Sequence, residues 1–424
     1  MSSAKNAASI LPLLLAASFL THFAHAQPAP NTQAAPNPQV WVASWAASQQ
    51  IPEPANSIPP GDLRDATLRQ LVRLSIGGPT LRVHLSNAFG TEPLRLTSVH
   101  IARPLSLASS AIDPQSDRPL TFSGAAAVTV PAGAEVLSDP IDDPVPPLTS
   151  LAITFHLDEP PSPETGHPGS RATSYYLHGD QVSAPTLTGA TPIEHWYQLA
   201  AIDVLAPPSA ASIVALGDST TDGHATTTNG NNRWTDVLAE RLQASPPTRN
   251  IAVLNQGLGG NHLLTDGLGP NVLARFDRDV LAQTGVRWLI VFEGINDLGG
   301  LTRLHEVSPE EHAAFVARIL AAYQQIIVRA HAHGIRVIGA TITPDGGSDY
   351  YHPGPATEAD RQAVNAWIRA PGHFDGLIDF DKAIRDPAHA DRMLPTEDCG
   401  DHLHPNPAGY RAMAEAINLA LFTR

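Results

Sequence analysis

A serine, an aspartate and a histidine occur in two short motifs whose residue types and spacing suit nucleophilic catalysis. Ser219 ends a Gly-Asp-Ser motif, and Asp401 precedes His404 by three residues in an Asp-His-Leu-His motif. A serine hydroxyl attacks effectively only when a base takes its proton, and a carboxylate commonly holds the other ring nitrogen of that base. We therefore predict Ser219 as the nucleophile, His404 as the base and Asp401 as its orienting acid.

Two further motifs between these supply hydrogen-bond donors. Gly260 ends the stretch Asn-Gln-Gly-Leu-Gly-Gly, and Asn296 lies in Gly-Ile-Asn-Asp. Ester hydrolysis passes through a tetrahedral intermediate whose negative oxygen is stabilised by preorganised donors. We assign this oxyanion hole to the backbone N–H groups of Ser219 and Gly260 and to the side-chain amide of Asn296. A side chain at position 260 would crowd a substrate carbonyl that approaches the backbone.

The second half of the chain alternates between apolar runs and helical patterns. The runs that predict buried strands are 213–216, 251–254, 288–292, 336–342 and 377–380. The helical patterns cover 233–245, 312–333, 358–369 and 407–421. Alternation of this kind predicts a parallel sheet that is covered by helices on both faces.

Three of the four motifs follow predicted strands directly. Ser219 follows the first strand, the loop 257–260 follows the second, and Asn296 follows the third. Ligands of such folds bind outside the carboxyl ends of the strands, so these residues are placed where a site is expected. The fourth motif precedes the last helix, where Asn406 can cap and Pro407 can take the first helical position.

Taken together, the four motifs resemble the blocks of the SGNH/GDSL hydrolase family of serine esterases and lipases. The resemblance covers residues 212–423. It implies a flavodoxin-like three-layer α/β/α domain, a reaction through an acyl-enzyme, and neither a metal nor another cofactor. Thr220 stands where family members often carry an aliphatic residue, which affects the pocket rather than the chemistry. Thr221 fills the last place of a Gly-x-Ser-x-Gly pattern, which disfavours the nucleophile elbow of α/β-hydrolases.

Residues 40–207 have a different character, and a chain of 424 residues is long enough for two domains. Short runs with strand-like alternation occur at 81–85, 98–101, 127–130 and 151–155. Separated by turn signals, they predict a β-sandwich-like accessory domain that ends before the hydrolase domain, 208–424. Its aromatic residues could stack on sugars or pack in the core; they include Trp41, Trp45, Tyr175, Tyr176, Trp196 and Tyr197.

The first 26 residues have the pattern of a secretory signal peptide. Lys5 supplies the positive charge, residues 10–20 the apolar stretch, and Ala-His-Ala the cleavage site after Ala26. The stretch is shorter than the roughly 20 residues that span a bilayer, although a retained anchor helix is the alternative. Residues 27–39 have the composition of a linker. We therefore expect a secreted or periplasmic protein with no later membrane span.

Charge and cysteine content exclude other classes of protein and site. A net charge of −15 argues against nucleic-acid binding, which needs a basic surface. Cys399 is the only cysteine, so the fold has no internal disulfide, and the nearby Asp398 and Asp401 would raise its pKa rather than activate it. The histidines lack the spacing of common metal motifs, so we predict no metal site.

These inferences predict a secreted serine esterase that hydrolyses short-chain carboxylic esters. The expected substrates are acetyl groups on carbohydrate, as small molecules or polysaccharides. Alternatives are a lipase or lysophospholipase, an acyltransferase that uses the same triad, and a binding protein with an inactive domain. The last would need a broken motif, and none is found. The oligomeric state, the exact acyl and alcohol groups and any role of Cys399 stay open.

Overall fold

A computed structural model describes residues 38–423 of the chain. Antiparallel strands form the N-terminal part of this range, up to Ala206. The predicted signal peptide, 1–26, and all but two residues of the predicted linker, 27–39, lie outside the described residues. The strands are β1 (Val40–Ala46), β2 (Ala66–Arg73), β3 (Gly78–Ser86), β4 (Leu94–Ala102), β5 (Arg118–Pro119), β6 (Val128–Val130), β7 (Glu135–Leu137), β8 (Ile141–Val145), β9 (Ser150–Leu157), β10 (Gly166–His167), β11 (Ser174–His178), β12 (Thr191–Ile193), β13 (Trp196–Tyr197) and β14 (Leu199–Ala206).

These strands form two large sheets around one core. The first has the order β1-β14-β3-β7 with β8 also on β3, and the second has the order β12-β11-β2-β9-β4-β5 with β6 also on β4. Strands β10 and β13 pair separately, and short 3₁₀ turns occupy Pro60–Leu63 and Pro114–Ser116. Alternate residues of β3, Leu81, Val83 and Leu85, enter the same buried cluster as Phe155 of β9. Two antiparallel sheets that share a core make this part β-sandwich-like, as predicted.

The aromatic residues of this part mostly pack in its interior. Trp45, Tyr175, Trp196 and Tyr197 are at most 9% exposed, so they cannot offer a surface for sugars. The rings of Trp45 and Trp196 meet edge to face with centroids 4.9 Å apart. Of the two roles considered from sequence, sugar stacking and core packing, these four residues therefore have the second.

Parallel strands and helices make up the rest of the described chain. The strands are β15 (Ala211–Gly217), β16 (Ile251–Gly257), β17 (Val286–Phe292), β18 (Arg336–Ala340) and β19 (Gly376–Ile378). The helices are α1 (Ser219–Asp222), α2 (Trp234–Ala244), α3 (Val272–Phe276), α4 (Ile295–Thr302), α5 (Pro309–Ala332), α6 (Pro355–Arg369), α7 (Phe380–Ile384) and α8 (Pro407–Ala416), with a π-helical turn at Asp277–Leu281 and a 3₁₀ turn at Leu419–Phe422.

The parallel sheet has the order β16-β15-β17-β18-β19, the flavodoxin-like order in which the second strand precedes the first. Ile213 and Ala215 of β15 pack in one buried cluster with residues of α2 and α8. Val214 and Leu216 face the other side, where the cluster includes residues of α3, α5 and α6. Helices therefore cover both faces, and the predicted three-layer α/β/α fold is confirmed.

Three helices differ by three residues or more from their predicted ends, and one of them, α6, begins at Pro355 rather than at residue 358. Helix α5 begins three residues earlier than predicted, because Ser308 and Glu311 form a capping box at its start. Helix α8 ends at Ala416 rather than at residue 421, and Arg241 donates hydrogen bonds to the backbone oxygens of Ala414 and Ile417 near that end. These side-chain contacts satisfy terminal groups that a longer helix would bond internally.

By length and composition alone, α5 qualifies as a possible membrane span among the described residues. One side of α5 packs in the core of the α/β layer through Ile319, Tyr323 and Ile326, which are at most 1% exposed. The helix thus has the amphipathic character of an outer-layer helix in a three-layer fold.

The antiparallel part covers one edge of the parallel sheet. Ala47, just after β1, forms a parallel bridge with Asn255 of the edge strand β16. The Ser75 hydroxyl donates to the backbone oxygen of Val253 at 2.8 Å, and the Ala43 N–H donates to Thr284 O at 2.9 Å. An exposed sheet edge would present unpaired backbone groups, so this contact gives the edge a partner. It also brings loops of the antiparallel part next to the carboxyl ends of β15 and β16.

Candidate active site

Ser219 is the first residue of α1 and directly follows the turn after β15. The side chain of Asp218 caps this helix by accepting a hydrogen bond from the Thr220 N–H at 2.9 Å. Gly223 ends the helix with φ of +92°, a conformation that favours glycine. The N–H of Ser219 lies in the first turn, where no helical acceptor exists, so it is available to a ligand.

Ser219, His404 and Asp401 form a continuous hydrogen-bonded chain. The Ser219 hydroxyl lies 2.8 Å from His404 Nε2, and His404 Nδ1 lies 2.7 Å from Asp401 Oδ2. The other carboxylate oxygen of Asp401 accepts from the N–H groups of Leu403 and His404 at 2.9 and 2.8 Å. Partial burial opposes ionisation, but the hydrogen bonds and charge of His404 outweigh it and hold the pKa of Asp401 well below its usual range. The arrangement allows proton transfer from the hydroxyl to an imidazole whose orientation is fixed.

The predicted oxyanion donors lie on the same cavity as Ser219, a cleft of about 850 Å³. Asn296, 3% exposed at the start of α4, donates from Nδ2 to the backbone oxygen of Asn261 at 2.7 Å, which leaves its second N–H free. Gly260 has φ of +64°, so its backbone conformation is itself a reason for glycine. The structure thus brings all five sequence-predicted site residues, His404 and Asp401 included, to one cleft.

A tyrosine that sequence analysis missed holds the Asn296 amide. Tyr351 donates from its hydroxyl to Asn296 Oδ1 at 2.6 Å. With Oδ1 engaged by Tyr351 and one Nδ2 hydrogen by Asn261 O, the amide cannot rotate without losing both bonds. No local pattern identifies Tyr351, because it lies 55 residues after Asn296 in a loop before α6.

Buried ionic side chains fix the loops that carry the site. Arg275 is 1% exposed and donates to Gly217 O, to Gln256 O and to Asn261 Oδ1 at 3.0, 2.8 and 2.9 Å. It therefore ties together the carboxyl ends of β15 and β16 and the loop that holds Asn296. Asp297 accepts from two backbone N–H groups of the same loop, at residues 263 and 264.

His224 is a second histidine at the site that the sequence analysis did not identify. Its ring lies over that of His404 with centroids 4.0 Å apart. Burial and the nearby positive groups His404 and Arg171 lower the pKa of His224 to about 4. A ring that stays neutral at neutral pH can pack against His404 without repelling the charge that His404 gains during proton transfer.

His224, Asp401 and His404 also have ligand atoms close enough to hold a metal ion. Both ring nitrogens of His404 already have partners, Ser219 and Asp401, so binding an ion would break that chain. The group is therefore a poor fit to a metal, and the absence of a metal remains a prediction.

Cys399 is exposed and does not line the cleft. Although the residue is exposed, partial burial of its thiol and the neighbouring carboxylates of Asp401 and Asp398 raise its pKa to about 11. A thiol with a pKa this high is a weak nucleophile at neutral pH. This agrees with the sequence analysis, which gave it no catalytic role.

Residues 215–412 match the GDSL-like Lipase/Acylhydrolase family. This region of the chain belongs to that family. The family predicted from the four motifs is thus confirmed, and the protein is a carboxylic ester hydrolase. We call residues 215–412 the GDSL domain.

Solved structures similar to the chain include two enzymes of bacterial origin. One is an acetylxylan esterase from Geobacillus stearothermophilus, with 21% identity over 50% of this chain and 94% of that chain and a TM-score of 0.38. Another is a GDSL-like lipase from Bacteroides thetaiotaomicron, with 17% identity over 50% of this chain and 87% of that chain and a TM-score of 0.36. No curated protein matches the chain.

Loops of the antiparallel part form one wall of the cleft beside the GDSL domain. The cavity is lined from that part by Gln50, Glu53, Asn56, Pro168, Gly169, Arg171 and His195. His167 of β10 anchors this wall: its Nε2 lies 2.9 Å from Asp222 Oδ1 at the end of α1, and its Nδ1 lies 2.7 Å from Ser48 O. The antiparallel part therefore contributes directly to the cleft that contains Ser219.

Proposed function

We propose that the protein is a secreted serine esterase that removes short acyl groups, chiefly acetyl, from carbohydrate. The observation that carries the proposal is the hydrogen-bonded chain from Ser219 through His404 to Asp401, which opens on the same cleft as Gly260 and Asn296. This is the constellation that acyl transfer through a serine needs.

In the first half-reaction, Ser219 Oγ forms a bond to the carbonyl carbon while its proton passes to His404 Nε2. The carbonyl oxygen becomes negative and accepts hydrogen bonds from the N–H groups of Ser219 and Gly260 and from Asn296 Nδ2. His404 then gives the proton to the alcohol oxygen as the carbon–oxygen bond breaks. The alcohol leaves, and the acyl group remains on Ser219 as an ester.

In the second half-reaction, water repeats these steps. His404 takes a proton from the water as its oxygen attacks the acyl carbon, and the same donors hold the oxyanion. The proton returns to Ser219 Oγ when its bond to carbon breaks, and the carboxylic acid leaves. Asp401, which stays ionised because its pKa is low, stabilises the charged imidazole in both half-reactions.

The lining of the cleft supports a short acyl group and a polar alcohol. Of the side chains around it, only Pro168, Leu258, Leu268 and Leu403 are purely apolar, while fourteen carry polar groups. A long acyl chain would need a continuous apolar surface to leave water, because the gain comes from apolar area that is buried. Sugars instead present hydroxyl groups, which hydrogen-bond to polar side chains of this kind.

A chain-length series tests this proposal. The mature protein should hydrolyse p-nitrophenyl acetate faster than the butyrate and much faster than the octanoate, and it should release acetate from an acetylated polysaccharide. Preference for octanoate would contradict the proposal and favour the lipase alternative. Faster acyl transfer to an added sugar than to water would favour the acyltransferase.

The proposal of export rests on the pattern of residues 1–26. If that segment is a cleaved signal, protein recovered from the medium or periplasm should begin at Gln27. An intact N-terminus on protein found only inside the cell would contradict it.

A further inference from the structure

Arg171 lines the cleft without a partner of its own. Within residues 38–423, its guanidinium forms no salt bridge or hydrogen bond, although Asp222 of the same cleft is near enough for the two charges to interact, and its Nε atom is buried. A guanidinium stays charged and carries five N–H donors. The two terminal nitrogens of Arg171 also have no hydrogen-bond partner in the described chain but are not buried, so they are available to a group that the protein does not supply.

The backbone of Arg171 is held in a conformation that side chains rarely adopt. Its φ is +49°, in the left-handed region. The conformation is imposed by the GDSL domain: the Asn229 N–H donates to Arg171 O at 2.9 Å, and Asn229 Oδ1 accepts from the Thr173 N–H at 2.8 Å. Arg233 also donates to the backbone oxygen of Ser170. Residues forced into such conformations cluster at ligand sites.

Arg171 lines the same cavity as His404 and His224, and the alcohol must leave on the His404 side of Ser219. In the proposed reaction His404 gives its proton to the alcohol oxygen, so the alcohol occupies the His404 side of the nucleophile. The tilted ring of His224 lies 4.0 Å from that of His404, centroid to centroid. Burial, the charge of His404 and the charge of Arg171, in that order, lower the pKa of His224. The guanidinium is therefore close to this side of the cleft.

We propose that Arg171 binds a carboxylate on the alcohol portion of the ester, so that the preferred substrates are acyl esters of acidic sugars. This inference rests on the proposed function. A planar guanidinium binds a carboxylate through two parallel hydrogen bonds. A dianionic phosphate fits less well, because Arg171 supplies a single positive charge and four acidic residues line the same cleft: Glu53, Asp222, Asp349 and Asp401.

A matched pair of substrates tests the role of Arg171. The two are a monoacetylated methyl glucuronide and the methyl glucoside acetylated at the same position, which differ only in the carboxylate. We expect the wild type to prefer the glucuronide by about 10- to 100-fold in kcat/KM, the size of a charged hydrogen-bonded contact. Arg171→Gln should reduce that ratio by about tenfold or more, and Arg171→Lys should restore part of it because the charge remains.

Two further variants separate the loss of the guanidinium from a change in the fold. Arg171→Gly removes the guanidinium and suits a φ of +49° without strain, so it should lose the preference as Arg171→Gln does. The exposed Arg249, changed to Gln, should keep the wild-type ratio. Thermal unfolding midpoints would confirm that each variant is folded.

The outcomes distinguish a failure of the inference about Arg171 from a failure of the proposed function. Equal loss of activity toward the two sugars in Arg171→Gln, or no preference in the wild type, would overturn the inference while the esterase proposal stands. Hydrolysis of p-nitrophenyl acetate with no release of acetate from either sugar would overturn the carbohydrate part of the proposed function, and this inference with it.

Discussion

The hydroxyl of Tyr351 donates to Asn296 Oδ1 at 2.6 Å, and this bond determines which way the Asn296 amide faces. An amide rotated by half a turn would present oxygen instead of N–H to the cleft, and a developing oxyanion would be repelled. We therefore predict that Tyr351 is a positioning residue, which acts through Asn296.

We expect Tyr351→Phe to lower kcat by about tenfold with little change in KM, because one hydrogen bond that orients the donor is lost. Asn296→Ala should cost about 10² to 10³ in kcat, the value of an oxyanion donor. Steady-state kinetics of the single and double variants check this. In the Asn296→Ala background, Tyr351→Phe should have no further effect, and an additive loss would show that Tyr351 acts independently of Asn296.

Gly299 provides the space for the Tyr351 ring. A Cβ atom at position 299 would lie 2.3 Å from the ring atom Cγ of Tyr351, whereas at the next residue, Gly300, the nearest atom would be 3.8 Å away. Gly299→Ala should therefore displace the ring and lower kcat at least as much as Tyr351→Phe. Gly300→Ala, in the same helix, is the matched control and should keep wild-type kinetics. Equal behaviour of the two variants would contradict the role given to Gly299.

Glu164 makes stability depend on pH. Burial raises its pKa to about 7 from an ordinary 4.5, and its Oε2 atom is buried without a hydrogen bond. Between these values the folded state binds more protons than the unfolded state, so stability falls as pH rises from 4.5 to 7 and stays lower above that range. Glu164→Gln should be more stable than the wild type at pH 8, by about 1 to 3 kcal/mol.

Urea unfolding of Glu164→Gln and the wild type across this pH range measures the effect. The difference between them should shrink to nothing as pH falls below 4.5. The exposed Glu92, changed to Gln, should follow the wild type at every pH. A constant advantage of Glu164→Gln at all pH values would mean that the carboxyl proton is not its cause.

The positions of the residues predicted to form the triad and the oxyanion hole could be inferred from sequence because each lies in a short motif next to an element end. Ser219 and Asn296 follow buried strands, and the 401–404 motif precedes a capped helix, so local sequence fixes where they lie. Tyr351 and Arg171 could not be found this way. Each is brought to the cleft by contacts between distant parts of the chain, so no short sequence motif marks either residue.

The strands of the N-terminal part were predicted only in part, for a related reason. Strands β3, β4, β6 and β9 correspond to the four runs that the alternation identified, whereas strands such as β1, β2 and β14 were missed. Nearly all residues of β2 and β14 are buried, polar ones such as Arg69 and Asp203 included, so the sequence shows no alternation of apolar and exposed positions. The position of the domain boundary near residue 207 stays a prediction.

The role of Ser219 as the nucleophile is the central claim, and hydrolysis of p-nitrophenyl acetate by Ser219→Ala tests it most directly. The exposed serine at position 209, changed to alanine, is the matched control. We predict that Ser219→Ala keeps the wild-type thermal midpoint and loses at least about 10⁴-fold in kcat/KM, while Ser209→Ala keeps wild-type activity. A folded Ser219→Ala protein that hydrolyses the ester at a rate near that of the wild type would contradict the account.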